Sequence, residues 1–407
     1  MPLIRFAARH LHNSMATRSR AYGAAERRIL SLEAFRTAKT EIASWPGYAP
    51  TPLIGLPGLA NALGIGALNY KDESRRFGLK SFKALGGAYA VLRVLQRHLS
   101  ASGIAAVTAN ALIAGAHRDA CAGVTVAAAT DGNHGRSVAW GAQMFGCRCE
   151  IYLHSHVSRE REREIAAYGA EIVRTAGGYD DSVRQCAADA AAKGWHLVAD
   201  TNSGGGSAEI PTLVMQGYAV MVDELLAGTN GATSSHIFVQ GGVGGLAAAV
   251  AGHLWEVLGE RRPCVIVVEP TKADCIYRSI EAGKPTPVPH EVDTFMACLA
   301  AGEVSPLAWP IMRYAVDDVI TLPDEAAPAA MRLLAVGAAG DRAIVAGESG
   351  CAATAGLVAA ALDPAIRSAL GLDHRSSVVA IGSEGATDPA AYMRTVGRSA
   401  EEVAAGT

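Results

Sequence analysis

From residue 124 onward the chain alternates between short apolar runs and longer amphipathic ones. VTVAAAT (124–130) predicts a buried strand and GRSVAWGAQMF (135–145) a helix. The same alternation runs through CEIYLH and SREREREIAAYG, AEIVRTA and DSVRQCAADAAAKG, WHLVAD and PTLVMQGYAVMVDELL, and HIFVQ and GGLAAAVAGHLWEVL, and CVIVVEP follows as a strand. Short apolar strands between helices predict βαβ units and mostly parallel sheets, hence an α/β fold. Further on, DDVITLPD reads as a strand feeding the helix DEAAPAAMRLLA. GESGCAATAGLVAAAL reads as a glycine-led helix and SSVVAIGSEG as a last strand.

The first quarter is less regular. Residues 26–43 suit a polar helix. WPGYAPTPLIGLP is punctuated by proline and must be extended. Residues 61–70 end in a short strand, and a helix follows from Lys83 towards His98. The alanine-rich stretch 104–129 has the periodicity of packed helix. Residues 1–25 carry Arg5, Arg9, Arg18 and Arg20 and no acid before Glu26. A weak organellar leader and an N-terminal arm are both open, and low serine content with a short apolar run favours the arm.

At 407 residues, half of them hydrophobic, the chain is too long for one small domain, and two lobes are expected. A net charge of -3 argues against a nucleic-acid partner. No apolar run approaches the ~20 residues of a membrane span. The eight cysteines are scattered without paired metal-ligand spacing, as expected of reduced thiols in a cytoplasmic protein, and no metal site is predicted.

Candidate chemistry lies where the strands end, because ligands of open parallel sheets bind at those carboxyl ends. In NYKDESRRFGLKSFKALGGAYA, Lys83 follows Ser81 and Phe82 and opens an apolar helix. Such a lysine is usually solvated. The alternative is a partly buried amine of lowered pKa beside an apolar Phe82 wall, able to condense with an aldehyde. After VTVAAAT comes a turn, Thr130-Asp131-Gly132-Asn133-His134-Gly135-Arg136, that opens a helix. It can hold a carboxylate with backbone donors, or can be an ordinary Asx cap. After HIFVQ, Gly241-Gly242-Val243-Gly244-Gly245 lacks both the Lys-Ser/Thr of a nucleotide P-loop and the GxGxxG spacing. It suits a monophosphate held by amides. Gly347-Glu348-Ser349-Gly350 and Gly382-Ser383-Glu384-Gly385 offer small donors and one carboxylate each, or serve only as caps and turns.

Taken in order, these segments resemble the fold-type II pyridoxal-phosphate enzymes, the tryptophan-synthase-β and threonine-dehydratase superfamily. Within it the chain is most similar to the diaminopropionate ammonia-lyase family. The resemblance rests on PGYAPTPL, KDESRRFGLKSFKALGG, ATDGNHGRSVAW, EIPTLVMQGY, VQGGVGGLA, VEPTKADC, GESG and GSEGATDP, from Pro46 to Pro389. It implies two lobes, each a mostly parallel sheet flanked by helices. Residues 1–90 with 193–407 would form the large cofactor-binding domain and 91–192 a cap. It implies pyridoxal 5'-phosphate as cofactor, an amino-acid substrate and a homodimer.

Residue by residue, the resemblance makes Lys83 the Schiff-base lysine and base at Cα, beside Phe82, and Asp131 the second acid/base. Asp200 would lie near the substrate amine. Asn133 would meet the cofactor O3′. Gly242, Val243, Gly244 and Gly245 would hold its phosphate, and Ser383 its pyridine nitrogen, with Gly382 at the neighbouring position where relatives can carry a hydroxyl. Thr130, Gly132 and His134 would border the substrate. The implied reaction is α,β-elimination of 2,3-diaminopropionate or a related β-substituted amino acid to a 2-oxo acid and ammonia. A serine/threonine-type hydroxyamino-acid dehydratase is the alternative. One departure stands out. Relatives carry an aromatic and acidic stretch after the Asp-Thr pair, whereas this chain has Asn202-Ser203-Gly204-Gly205-Gly206-Ser207-Ala208. Small residues there predict a wider pocket.

Overall fold

The computed structural model describes residues 3–130, 132–202, 207–229 and 234–406. It divides into two units: Met1–Leu32, Pro50–Ser81 and Met221–Thr407 form the first, and Glu33–Ala49 with Phe82–Val220 the second.

The strands in chain order are β1 (Arg9–His12), β2 (Leu53–Gly55), β3 (Ala67–Asp72), β4 (Thr125–Ala129), β5 (Arg148–Leu153) and β6 (Glu171–Arg174). β7 (His196–Leu197), β8 (His236–Gln240), β9 (Cys264–Pro270), β10 (Asp318–Leu322) and β11 (Ser377–Gly382) complete the set. The first unit holds a seven-stranded sheet in the order β1-β10-β9-β8-β11-β3-β2. Its five central strands are parallel, while β1 and β2 are antiparallel edges. Strands β8 and β10 are buried at every position, which is why they read as continuous apolar runs rather than alternating ones. The second unit holds a parallel four-stranded sheet, β6-β5-β4-β7. Both sheets bear out the α/β reading.

The structure adds detail to the sequence reading in three places. The division between units falls at Phe82 and Val220, with Glu33–Ala49 in the smaller unit, rather than at residues 90 and 193. The Lys83–Ala101 helix belongs to the smaller unit from its first turn because glycines let it approach its neighbours closely. A Cβ on Gly86 would stand 2.7 Å from the Val214 carbonyl, and one on Gly217 would stand 2.4 Å from the Leu85 carbonyl. Two glycines in a helix cost about 1 kcal/mol each relative to alanine, so the close packing offsets that cost. Trp45, from the segment 33–49, packs edge-on against Trp140 and Phe145. Second, the helical part of the alanine-rich stretch is two short helices, Ala109–Ile113 and Arg118–Ala122, and β4 follows where VTVAAAT predicts a strand. Third, the proline-punctuated connection carries β2 as an extended stretch, and its last residue, Pro57, opens the Pro57–Leu63 helix at the first helical position, where its missing N–H costs nothing.

No helix among the described residues is long and apolar enough to cross a membrane.

Candidate active site

In the second unit, Lys83 is the first residue of the Lys83–Ala101 helix, with Phe82 at the cap. Its Nζ lies 2.5 Å from Asp200 Oδ2, and both side chains are about one-fifth exposed. The amine also faces two aromatic rings, 5.5 Å from the Phe82 centroid and 5.7 Å from that of Tyr218. These rings meet edge to face at 4.6 Å. The apolar Phe82 wall is therefore present, but the amine is ion-paired rather than isolated. Burial opposes ionisation of Asp200, yet the charge and hydrogen bond of Lys83 outweigh it and hold the carboxyl well below its ordinary range. Burial pushes the Tyr218 phenol well up.

The turn after β4 is built to aim Asn133. Thr130 Oγ1 accepts the N–H groups of Gly132 and Gly135, each at 3.1 Å, so this oxygen shapes the turn. Gly132, at φ 153°, supplies the conformation that starts the Asn133–Phe145 helix. Arg136 Nη2 donates to Asn133 Oδ1 at 2.7 Å, and Arg136 Nη1 donates to Glu164 at 3.2 Å. A guanidinium only donates, so it fixes which end of the Asn133 amide is oxygen. His134 is buried and its Nε2 donates to the Val198 carbonyl at 2.8 Å. Asp131 and residues 203–206 of the loop lie outside the described residues.

In the first unit, residues 241–245 lie between β8 and the Gly245–Leu258 helix. Gly242 (φ 64°) and Gly244 (φ 95°) adopt left-handed backbone that favours glycine. The Gly242 carbonyl accepts from Cys275 Sγ at 3.5 Å and the Val243 carbonyl from the Ser305 N–H at 2.8 Å. Among the described residues no protein acceptor is found for the N–H groups of Gly242, Val243 and Gly245. A loop with its carbonyls turned into the protein and its amides unpaired, at the N-terminus of a long helix, is an anion cradle.

Beside it, Glu269 on β9 is fully buried. It accepts the Ile276 and Tyr277 N–H groups at 3.0 and 2.9 Å. Burial pushes its carboxyl up to about 8 against the pull of those donors. Its folded value lies above the ordinary one, so its contribution to stability is complete below about 4.5 and is lost as pH rises through about 8. Glu269→Gln is expected to flatten this slope, read as urea midpoints between about pH 5 and 8.5. Parallel slopes for wild type and variant would refute the assignment.

At the end of β11, Ser383 is buried. The neighbouring position cannot bear a side chain, because a Cβ on Gly382 would lie 2.0 Å from the Tyr70 ring. Glu384 accepts from the Ser349 N–H at 3.2 Å and from Cys298 Sγ at 3.5 Å.

The family description "Pyridoxal-phosphate dependent enzyme" matches residues 44–383. The chain belongs to the pyridoxal-phosphate dependent enzyme family. Among individual members, it is 39% identical over 365 residues to diaminopropionate ammonia-lyase of Escherichia coli K12, covering 88% of this chain and 90% of that one. The crystal structure of the Escherichia coli enzyme in complex with an aminoacrylate-PLP azomethine reaction intermediate superposes with a TM-score of 0.85. It is 35% identical and covers 97% of this chain and 98% of that one. A biosynthetic L-threonine dehydratase of Pasteurella multocida is 26% identical over 69% of this chain and 48% of its own.

Each unit, taken by itself, carries groups that suit a part of this family's cofactor. The unpaired amides of 242, 243 and 245 suit a phosphate, the fixed Asn133 amide suits a phenolate oxygen, and Lys83 suits an aldehyde. Sequence reasoning passed over Tyr218, Arg136 and Glu269. Arg136 was legible in principle, three residues beyond Asn133 on one helix face. Tyr218 and Glu269 were not, since their neighbours come from distant segments.

Proposed function

We propose that this chain is an ammonia-lyase that uses pyridoxal 5'-phosphate to eliminate the β-amino group of 2,3-diaminopropionate, releasing pyruvate and ammonia. The observation that carries this reading is the Lys83–Asp200 pair, placed at a helix start in a chain that aligns along most of its length with diaminopropionate ammonia-lyase.

The bound cofactor supplies an electron sink for the charge left at Cα when its proton is removed. Lys83 would hold the cofactor's aldehyde carbon, and its amine, when free, would take the Cα proton. Asp200 orients that amine and, being held ionised, pairs with a substrate ammonium. Asp131 is the second acid/base. A carboxyl there can hand a proton to a leaving β-amine, which departs as ammonia far more readily than as amide ion. Asn133 would meet the ring oxygen, the free amides of Gly242, Val243 and Gly245 would hold the phosphate, with Gly244 shaping that loop, and Ser383 would meet the ring nitrogen. The Thr130 and Gly132 turn borders the substrate, which is a small amino acid. The assembly is a cytoplasmic homodimer.

Purified protein is expected to release two ammonia per pyruvate from diaminopropionate of either hand. One ammonia per 2-oxo acid, from serine or threonine alone, would instead establish a hydroxyamino-acid dehydratase. Gly244→Val is expected to weaken cofactor binding at least about tenfold in a visible-absorbance titration. A branched side chain is strained at φ 95°, and its Cβ would lie 2.4 Å from Met312 Cε and 3.2 Å from Ala308 Cβ. Unchanged affinity would contradict the phosphate role of this loop.

A further inference from the structure

We infer that His134 is the proton acceptor that keeps the Asp200 carboxylate paired whenever the Lys83 nitrogen ceases to be an ammonium facing it. The inference rests on the reading of Lys83 as the cofactor-bearing lysine and extends it to a group that acts through Asp200. His134 is therefore a positioning residue.

Three observations carry it. The Val198 carbonyl is an acceptor only, so the His134 nitrogen 2.8 Å from it, Nε2, must bear a proton. That leaves Nδ1 as the titrating atom. Nδ1 is buried with no hydrogen-bond partner, an unusual state for a nitrogen lone pair inside a protein. It lies 4.0 Å from Asp200 Oδ2, the same oxygen that meets Lys83 Nζ at 2.5 Å. One carboxylate oxygen thus faces two nitrogens, one of them engaged and one waiting. Small rotation of the carboxylate closes the longer gap once the amine is discharged or drawn away.

The groups that face His134 are Lys83, from the start of its helix, and Asp200, from the turn after β7. Tyr218, from the Glu209–Gly228 helix, faces the same pair, and burial keeps its phenol neutral. Arg136, on the histidine's own helix, is turned to Asn133 and Glu164. With the amine charged, burial and the nearby cation hold the imidazole neutral against the pull of Asp200. Removing that cation leaves a buried carboxylate with no counter-charge, the costliest arrangement available to the site. The proton balance is simple. One proton leaves the Lys83 nitrogen and one arrives on His134 Nδ1. Asp200 stays ionised throughout and accepts from whichever nitrogen is charged.

The test uses the full-length cofactor-free chain, so it needs no turnover. Long-range proton–nitrogen correlation spectra of 15N-histidine protein report the state of each imidazole, and His134→Gln assigns the signals. Wild-type protein is expected to show His134 neutral and protonated on Nε2 from about pH 5.5 to 8.5. In Lys83→Met its titration midpoint should rise by about one pH unit or more, and adding Asp200→Asn should reverse the rise. Lys83→Gln repeats the measurement should methionine disturb the fold. A midpoint unmoved by either Lys83 substitution, or a rise that persists in the double variant, overturns the coupling. Such a failure leaves the lyase reading standing. Conversely, a Lys83 that never accepts the cofactor would sink that reading while leaving the titration interpretable.

Discussion

Lys83→Ala is expected to lower kcat by at least about 10³-fold and to abolish cofactor attachment, because in the proposed function one side chain both holds the aldehyde and serves as the base at Cα. Borohydride reduction of the loaded wild-type protein should fix a pyridoxyl group on Lys83. The variant should give no such product and no aldehyde-derived visible band. The geometry behind this is specific. The amine stands at a helix start with two aromatic rings beside it and a carboxylate at 2.5 Å. That carboxylate orients the amine and limits where the nitrogen can wander. Substantial turnover in Lys83→Ala, or a borohydride tag on another lysine, would refute the central assignment.

The second large effect is on stability. Glu224→Ala is expected to destabilise the protein by about 3–5 kcal/mol. Glu224 is a member of a buried, charge-balanced cluster with Lys71, Glu73 and Arg76. Lys71 Nζ donates to it at 2.7 Å, and Arg76 donates through both terminal nitrogens at 2.7 Å each. Thr51 Oγ1 completes the set by donating to Glu73 at 2.5 Å. All four charged side chains are 3% exposed or less. Removing Glu224 leaves two cations sharing one carboxylate away from water, which costs far more than an exposed ion pair is worth. The cluster ties the segment that leads to Lys83 onto the long helix carrying Glu224. The loss should appear as a lower urea midpoint at pH 7, and a change below about 1 kcal/mol would refute the account.

The same cluster has a pH signature. Burial works against ionisation of Glu224, but hydrogen bonds and charge from Arg76 and Lys71 prevail and bring its carboxyl down to about 2. A depressed carboxyl contributes stability that is present above its ordinary value, near 4.5, and lost as pH falls towards about 2. This is opposite in sign to Glu269, whose contribution is lost on the alkaline side.

Much of the site was legible as ordered segments, because its parts sit where βα units must put them. Lys83 at a helix start, Asn133 after β4, the glycines after β8 and Ser383 after β11 follow from short apolar runs ending in small or polar residues. What the segments could not convey was which partners each side chain would meet. The Lys83 motif suggested an amine against an apolar wall, and the fold added Asp200 from 117 residues further along. Thr130 stood out as a substrate contact, yet its oxygen is engaged in shaping the turn. Lys71, Glu73 and Arg76 stand in a run of charged residues, and nothing local tells that Glu224 meets them in the interior.

The sequence by itself determined the α/β class, the order of the elements and the residue types at the strand ends. These depend on local periodicity, on backbone preferences of glycine and proline, and on chain direction, all of which are encoded within a few residues. Tertiary structure decided the boundaries of the two units, the burial of the charged cluster and the Lys83–Asp200–His134 arrangement. Each of these is a balance between desolvation and a partner supplied from far away in the chain, and such a balance exists only once the chain has folded.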